Sequence, residues 1–286
     1  MKSGTSDPRN ASAQQQFELF QDFLVRSCGI VLGDNKQYLV TSRLSRLMAE
    51  HGISDLGELL QRLQQFSQRS LRDAVVDAMT TNETLWFRDV HPFNIFRDRL
   101  LPELQRAQVR PLRVWSAACS SGQEPYSLSM AVEEYRAASM GVLRNPVEIV
   151  ATDLSKSMLE QCRLAEYDQL SLSRGLSPER MQRYFEAVDG EPRRRRVKAE
   201  IRQRVRFQPL NLMDSFLSLG RFDVVFCRNV LIYFSADLKL DILRRMHAAL
   251  QPGGYLVLGA SESMPDVGRL FEMVSCSPGI VYRAIR

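Results

Sequence analysis

The pattern of apolar residues changes near residue 110, and this change constrains the fold more than any other feature of the sequence. Before that point, apolar side chains recur at helical spacing from Gln14 to about residue 80, and no strand pattern is present. After it, short runs rich in β-branched residues alternate with helical stretches, which is typical of a parallel sheet covered on both faces. The length of 286 residues also favours about two domains. We therefore predict a helical N-terminal domain over residues 14–90, including an interdomain motif, and an α/β domain over residues 91–286.

The strands of the α/β domain are predicted where apolar runs lie between helical stretches. These runs are 112–118, 147–152, 205–210, 222–227 and 255–259. Two further runs, 271–276 and 280–284, flank Ser277-Pro278-Gly279 and predict an antiparallel hairpin at the end of the sheet. Residues 166–204 interrupt the alternation, as an insertion would, and the polar residues 1–13 are predicted to be disordered.

Composition excludes several classes of protein. No apolar stretch reaches the roughly 18 residues of a membrane span, so no direct membrane insertion is expected. Residues 1–16 are polar, so no signal peptide is expected either. The five cysteines are widely spaced, no Cys-x-x-Cys motif occurs, and three histidines are present. We therefore expect no metal site and a reducing, cytoplasmic location.

The positive charge is concentrated in one segment. The net charge is +5, and residues 190–206 alone hold eight basic and two acidic residues, so the rest of the chain is close to neutral. A local patch argues against a nucleic-acid-binding surface over the whole protein. One interpretation of the Arg193–Arg196 run is an exposed, mobile loop.

The loop after the first predicted strand is built of small residues and leads into a helix. It contains neither the glycine pattern of a dinucleotide-binding loop nor a phosphate-binding Lys-Ser/Thr pair, and Glu124 would repel a pyrophosphate. An acid at this place suits a ligand with positive charge, such as an ammonium or a sulfonium. The alternative is an ordinary tight turn between strand and helix.

Polar residues also follow the second and fourth strands. Asp153 is placed to accept hydrogen bonds from a ribose diol, or alternatively to cap the helix that starts near Lys156. A ribose and a cationic amino acid without phosphates indicate S-adenosylmethionine rather than NAD. Arg228 and Asn229 follow a buried apolar strand and form either part of the site or a structural polar network.

Residues 80–89, between the two predicted domains, are rich in hydrogen-bonding groups and then aromatic. We interpret this segment as a lid across the cofactor cleft. The alternative is a helix end whose aromatic side chains fill the seam between the domains.

With these features together, the sequence strongly resembles the CheR-type chemoreceptor glutamate methyltransferases, from about residue 14 to the C-terminus. The matching motifs are MTTNETLWFRD, RVWSAACSSGQEPYSL, VATDLSKSMLEQCRLAEY, RFQPLNL, FDVVFCRNVLIYF and LQPGGYLVLGASES. The resemblance implies an α/β fold: a Rossmann-like methyltransferase sheet, a small all-helical N-terminal domain and a small β-subdomain inserted at 166–204. It also implies methyl transfer from S-adenosylmethionine to glutamate side chains of bacterial chemoreceptors, with S-adenosylhomocysteine as product.

The resemblance further implies a set of residues that bind the cofactor. These are Asn82, Thr84, Arg88, Glu124, Asp153, Asn211, Leu212, Arg228 and Asn229. Two residues depart from the family's usual pattern. Gln123 stands where the family usually has Glu, so Glu124 would serve the cofactor amino group alone, and Trp86 stands where Phe is common.

A glutamate acceptor needs no general base, because a carboxyl group with a pKa of about 4.3 is ionised near neutral pH. We predict that Tyr233 orients the acceptor oxygen; the alternative is a packed core aromatic. Arg43 and Arg46 are three residues apart on one helix and are predicted to dock an acidic, helical methylation region of the receptor's cytoplasmic domain; otherwise they form a solvated helix face. The inserted subdomain is a candidate for holding a receptor C-terminal peptide. A monomer is expected.

Two rival functions remain at this point. A nucleic-acid methyltransferase is disfavoured because the Asp/Asn-Pro-Pro-Tyr signature is absent and the basic charge is local. A non-enzymatic scaffold that senses S-adenosylmethionine is disfavoured by the full set of predicted cofactor residues.

Overall fold

The computed structural model describes residues 12–107, 109–141, 143–264 and 269–285. Residues 1–13 are predicted to be disordered, and residues 1–11 of them lie outside the described residues. For Ser12 and Ala13 the prediction is wrong. Ser12 is the N-cap of the first helix and exchanges hydrogen bonds with Gln15, 3.3 Å from Ser12 Oγ to the Gln15 N–H and 2.8 Å from the Ser12 N–H to Gln15 Oε1. This capping box fixes the helix start at Ala13.

The chain divides into two compact units. The first comprises the residues up to Thr81 together with Tyr233–Leu238, and the second comprises Asn82–Ile232 and Lys239–Arg286. In the described part of the first unit, four α-helices follow one another: α1 (Ala13–Cys28), α2 (Gln37–Glu50), α3 (Leu56–Leu63) and α4 (Arg69–Met79). Their apolar faces form a core that includes Phe17, Phe20, Leu44, Leu59 and Val75, all of them fully buried or nearly so.

The second unit is built on strands and helices that alternate along the chain. The strands are β1 (Leu112–Ala117), β2 (Val147–Asp153), β3 (Glu166–Asp168), β4 (Phe185–Val188), β5 (Glu191–Val197), β6 (Val205–Pro209), β7 (Phe222–Cys227), β8 (Leu250–Leu258), β9 (Phe271–Cys276) and β10 (Gly279–Ala284). The helices are α5 (His91–Ile95), α6 (Leu101–Ala107), α7 (Gln123–Ala138), α8 (Lys156–Leu164), α9 (Gln169–Ser173), α10 (Pro178–Tyr184), α11 (Ala199–Arg202) and α12 (Ala236–Ala249), whose first three residues are counted with the first unit.

Seven of these strands form the main sheet, in the order β6-β2-β1-β7-β8-β10-β9. The pairs among β6, β2, β1, β7 and β8 are parallel, whereas β10 runs antiparallel to β8 and to β9. Every residue of β7 is buried, and so is every residue of β1 except Arg113, because helices cover these strands, as the continuous apolar runs require. The predicted fold class is confirmed, including the closing hairpin.

The insertion forms a small antiparallel sheet of its own, in the order β3-β5-β4. Its central strand β5 contains the Arg193–Arg196 run, so the interpretation of this run as an exposed, mobile loop is wrong. Arg194 and Arg196 both pair with Glu166, whereas Arg193 and Arg195 are exposed. The strand is formed by antiparallel backbone pairing with β3 and β4, and the alternation of side chains along it brings Arg194 and Arg196 to Glu166.

The interdomain motif departs from its predicted place. Residues 82–90 belong to the second unit, so the boundary predicted after residue 90 lies too late in the sequence. Trp86 is fully buried and meets Tyr167 and Phe185 edge-on, with ring centroids 4.8 and 5.2 Å away. The aromatic side chain thus belongs to the core of the second unit, and the interpretation that it fills a seam between domains is wrong.

Gly175 allows the chain to pass close to this motif. Its φ is +89°, and a Cβ there would overlap the carbonyl oxygen of Trp86. We expect Gly175→Ala to lower the free energy of unfolding by about 1–3 kcal/mol, because the backbone must move to admit the methyl group. Urea unfolding measures the change.

Gly190→Ala is the matched control, because Gly190 also has a positive φ, +76°, but nothing lies within 4 Å of the added methyl group. It carries the backbone strain without the clash. An equal loss of stability in both variants would contradict the steric explanation.

Candidate functional site

The predicted site residues of the second unit lie at the carboxyl edge of the parallel strands. In an open α/β sheet this edge is where ligands bind. The segments that follow β1, β2, β6 and β7 meet there, together with residues 82–89.

The loop between β1 and α7 has an unusual backbone. Ala118, Ser120 and Gly122 have φ values of +60°, +51° and +96°, a left-handed conformation that non-glycine residues rarely adopt. A Cβ at Gly122 would lie 2.9 Å from Tyr167 Oη and 3.0 Å from Cys162 Sγ. Such concentrated strain is typical of functional loops and favours a built ligand loop over an ordinary turn.

Asp153, at the end of β2, holds this loop. Its Oδ2 accepts a hydrogen bond from the Ser120 N–H at 2.7 Å, and its Oδ1 accepts one from the Ser155 N–H at 2.9 Å. The alternative role predicted for Asp153, capping the helix near Lys156, is wrong. Ser155 is that cap, since its Oγ accepts the Met158 N–H at 3.1 Å. Asp153 is only 7% exposed and is oriented by the backbone.

Glu124, in the first turn of α7, is oriented by two neighbours. The Ser116 hydroxyl donates to Oε1 at 2.8 Å, and Arg228 Nη1 donates to Oε2 at 3.0 Å. Arg228 also donates to Asp89 Oδ2 at 2.7 Å and to the Arg88 carbonyl at 2.8 Å. The guanidinium thus joins two carboxylates and the backbone of residues 82–89.

The side chain of Arg228 is 2% exposed, so its charge is compensated almost entirely by these partners. This geometry supports the alternative of a structural polar network for Arg228. Direct contact of Arg228 with a cofactor stays a prediction.

Asn229 follows Arg228 in the left-handed conformation, with a φ of +58°. Its side-chain Oδ1 is buried and has no hydrogen-bond partner among the described residues. A buried amide oxygen without a partner costs free energy and calls for an explanation. A ligand hydroxyl or amine that donates to it would supply one.

The segment after β6 lies beside Asp153. The Leu210 N–H donates to the Asp153 carbonyl at 3.0 Å, which brings Asn211 and Leu212 to this edge. Asn211 Oδ1 accepts the Met213 N–H at 3.0 Å, and Leu212 is 7% exposed. Their contact with a cofactor stays a prediction.

Residues 82–88 reach the site through their backbone. The Asn82 carbonyl accepts the Ser120 hydroxyl at 2.8 Å, and Arg88 Nη1 donates to the Glu83 carbonyl at 3.1 Å. Thr84 and Arg88 are half-buried in the same segment. The roles of the Asn82, Thr84 and Arg88 side chains, and of the segment as a lid, stay predictions.

Gln123 points elsewhere than Glu124. It is 4% exposed, accepts the Ser121 hydroxyl at 2.9 Å and donates to Ser171 Oγ in the insertion at 3.3 Å. The departure from Glu at this position therefore alters a contact with α9 rather than the partners of Glu124.

Two thiols near the strand ends are unsuited to nucleophilic chemistry. Burial raises the pKa of the Cys119 thiol well above its ordinary value, and burial does the same for the pKa of Cys227. A thiol is a good nucleophile only as the thiolate, so both remain neutral packing groups.

The predicted residues of the first unit have different surroundings. Arg43 donates to the Met79 and Thr80 carbonyls at 2.7 and 3.1 Å and to Thr81 Oγ1 at 3.0 Å, so it holds the C-terminus of α4. Arg46 pairs with Glu50 at 2.8 Å, and its side chain is 90% exposed. The two arginines thus do not form one free docking face.

Tyr233 is half-buried in the first unit, and its carbonyl accepts the Val31 N–H at 2.8 Å. Its role in orienting an acceptor stays a prediction.

Three residues of the site escaped sequence reasoning. Ser116 and Asp89 hold the ends of the Glu124–Arg228 network, and Glu262 accepts hydrogen bonds from the chain after β7. The sequence did offer an indication of Glu262, because this residue comes shortly after the apolar run 255–259, as Asp153 comes after the apolar run 147–152.

The residues at the strand ends fit S-adenosylmethionine. Asp153 presents an oriented carboxylate for a ribose, and Glu124 presents one for an ammonium group. Asn229 adds the buried oxygen that lacks a donor. Among the described residues no group of three or more His, Cys, Asp or Glu has the arrangement of a metal site. In that same part of the chain, no helix has the length and hydrophobicity to span a membrane.

Comparison with known proteins agrees with this geometry. Residues 15–80 match the all-alpha domain of CheR methyltransferases, and residues 82–280 match their SAM binding domain. The chain is 60% identical to chemotaxis protein methyltransferase 1 of Pseudomonas aeruginosa over 96% of this chain and 99% of that protein. It is 57% identical to chemotaxis protein methyltransferase Cher2 of Pseudomonas putida, over 94% and 97% of the two chains. It is 34% identical to the chemotaxis protein methyltransferase of Escherichia coli, over 93% and 90%. The chain therefore belongs to the CheR methyltransferase family, and residues 82–280 are its S-adenosylmethionine-binding domain.

Proposed function

We propose that this protein transfers the methyl group of S-adenosylmethionine to glutamate side chains of bacterial chemoreceptors, forming methyl esters that serve chemotactic adaptation in the cytoplasm. The observation that carries the proposal is the pair of oriented carboxylates, Asp153 and Glu124, at the strand ends of a CheR methyltransferase domain. The names of the relatives support the link to chemotaxis.

The reaction asks little of acid–base chemistry. S-adenosylmethionine, when bound, supplies a methyl group on a positively charged sulfur. The acceptor glutamate, with a pKa of about 4.3, is already an ionised nucleophile. The chain must therefore position the two reactants and exclude water, and positioning contributes about 7–11 kcal/mol to lowering a barrier of this kind.

Each strand-end residue has a binding role in this proposal. Asp153 accepts hydrogen bonds from the ribose hydroxyls, because a carboxylate oxygen accepts more than one donor. Glu124 attracts the ammonium group of the cofactor, and Arg228 keeps the Glu124 carboxylate in place. Asn229 Oδ1 accepts a further cofactor donor, and Asn82, Thr84, Arg88, Asn211 and Leu212 complete the pocket.

Tyr233 is proposed to orient the acceptor carboxylate through its hydroxyl. We expect Tyr233→Phe to lower kcat by about 10- to 100-fold, since a hydrogen bond to a charged group contributes about 1.5–3 kcal/mol. The affinity for S-adenosylhomocysteine, measured by calorimetry, should stay within about twofold of the wild-type value.

Tyr38→Phe is the control, because Tyr38 is 61% exposed on α2 and loses the same hydroxyl. A collapse of cofactor affinity in Tyr233→Phe, or an unchanged kcat, would make the assignment wrong.

Two surfaces are proposed to meet the receptor. Arg46 on α2 carries a largely exposed guanidinium toward an acidic, helical methylation region, whereas Arg43 contributes by holding the end of α4. The inserted sheet, with exposed Arg193 and Arg195, is proposed to hold a receptor C-terminal peptide by strand addition. We propose that the enzyme acts as a monomer.

One assay tests the proposed function. Radiolabelled S-adenosylmethionine is offered with the cytoplasmic part of a chemoreceptor, with RNA and with DNA. Base-labile label on the receptor is the expected result, because methyl esters hydrolyse in base. Label on nucleic acid, or on none of the three, would refute the proposal.

A further inference from the structure

The carboxylate of Glu262 lies among four backbone N–H groups at the ends of β7 and β8. Oε2 accepts from Asn229 at 2.7 Å and from Gly259 at 2.8 Å. Oε1 accepts from Val230 at 3.0 Å and from Leu231 at 2.8 Å. Each oxygen thus accepts two hydrogen bonds, and together they use the roughly four acceptor sites of a carboxylate.

Three of these donors are consecutive residues that start from a left-handed one. Asn229 has a φ of +58°, and successive N–H groups at such a turn form a concave site for an anion. The chain fills this concavity with its own carboxylate rather than leaving it to a ligand. Hydrogen bonds from three consecutive N–H groups thus hold the turn 229–231 in its observed conformation.

Gly259 lies in close contact with both Glu262 and Asn229. A Cβ at this position would lie 2.7 Å from Glu262 Oε2 and 2.9 Å from both the N and Nδ2 of Asn229. The side-chain amide of Asn229 therefore packs directly against the turn that carries Glu262. The Glu262 N–H closes that turn by donating to the Gly259 carbonyl at 2.9 Å.

We propose that Glu262 is a positioning residue of the methyltransferase site, which holds the 229–231 turn and so orients the Asn229 amide toward the cofactor. The inference rests on the proposed function, in which Asn229 binds the cofactor. Glu262 itself touches backbone groups of the chain, and its effect on the cofactor passes through Asn229.

The first test uses the protein without any cofactor. Glu262→Gln keeps the shape of the side chain but turns an NH₂ group toward backbone N–H donors. We expect the amide protons of Asn229, Val230 and Leu231 to exchange with deuterium at least about tenfold faster than in the wild type. Glu160→Gln, the same change at an exposed position on α8, should leave these rates unchanged.

The second test is a double-mutant cycle on the affinity for S-adenosylhomocysteine, measured by calorimetry. Asn229→Gly removes the amide and retains the left-handed backbone, because glycine adopts it without strain. We expect Glu262→Gln to weaken binding by about tenfold in the wild-type background and by less than about twofold in the Asn229→Gly background. Equal effects in both backgrounds, or none in the first, would overturn the proposal.

A second variant and the binding of S-adenosylhomocysteine by the wild type distinguish the possible outcomes. If Glu262→Gln does not fold, Glu262→Asp retains a carboxylate on a shorter stem and is expected to show the same dependence on Asn229 with a smaller loss. If the wild-type protein itself binds no S-adenosylhomocysteine, the proposed function fails. If the wild type binds and the cycle is additive, only the role of Glu262 fails.

Discussion

Arg228→Met is expected to lower the free energy of unfolding by about 3–5 kcal/mol, the largest loss of stability among the variants considered. The substitution keeps much of the side-chain volume and leaves the carboxylates of Glu124 and Asp89 without their shared cation. The Glu124 side chain, 13% exposed, then carries an uncompensated and largely buried charge, whereas the Asp89 side chain stays accessible to water at 32%. Such a charge costs more than the ion pair contributes, because desolvation is no longer offset. Thermal unfolding should show a decrease in Tm of roughly 6–20 °C.

Arg195→Met is the matched control, because Arg195 is exposed on β5, and a change within about 0.5 kcal/mol is expected. A second test also removes the two carboxylates that Arg228→Met leaves without a cation. Adding Glu124→Gln and Asp89→Asn to Arg228→Met should recover part of the lost stability, since neither position then holds a carboxylate that lacks its cation. A triple variant as unstable as Arg228→Met would show that the loss comes from packing.

Asp153→Asn is expected to weaken the binding of S-adenosylhomocysteine by at least about 30-fold, because hydrogen bonds to a charged group contribute about 1.5–3 kcal/mol each. The new NH₂ group would face one of two backbone donors, Ser120 N–H or Ser155 N–H, which now meet the carboxylate at 2.7 and 2.9 Å. The substitution thus weakens the proposed acceptor for the ribose and loosens the loop after β1. Calorimetry measures the affinity.

Asp189→Asn is the control for this change, because Asp189 is exposed in the turn between β4 and β5. The Asp189→Asn protein should bind S-adenosylhomocysteine with the wild-type affinity. Thermal unfolding of Asp153→Asn shows whether the loss of affinity is confined to the site or comes from a general loss of stability. An affinity within about threefold of wild type in a folded Asp153→Asn protein would remove Asp153 from the site.

Arg228 and Asp153 contribute different properties to the candidate site. Arg228 compensates charge and links the 82–89 segment to α7, whereas Asp153 links β2 to the loop that enters α7. The site is thus assembled from strand ends and from residues that precede the sheet in the chain. Backbone N–H groups orient Asp153, and the side chains of Ser116 and Arg228 orient Glu124, which is the kind of arrangement that preorganised sites use.

The sequence by itself determined the division into a helical part and an α/β part, the parallel sheet with its antiparallel end, and the placement of Glu124, Asp153 and Asn229 at strand ends. These features follow from local periodicity and from a general rule about where strands end. Both can be read within a window of about ten to twenty residues.

The tertiary structure alone decided which partners these residues have. Arg228 meets Glu124 across 104 residues of sequence and Asp89 across 139, and Glu262 reaches Asn229 across 33. Trp86 belongs to the second unit, Arg43 holds the end of α4, and the arginine run forms a strand. No local pattern contains such contacts, because burial and charge compensation depend on segments that only the folded chain brings together.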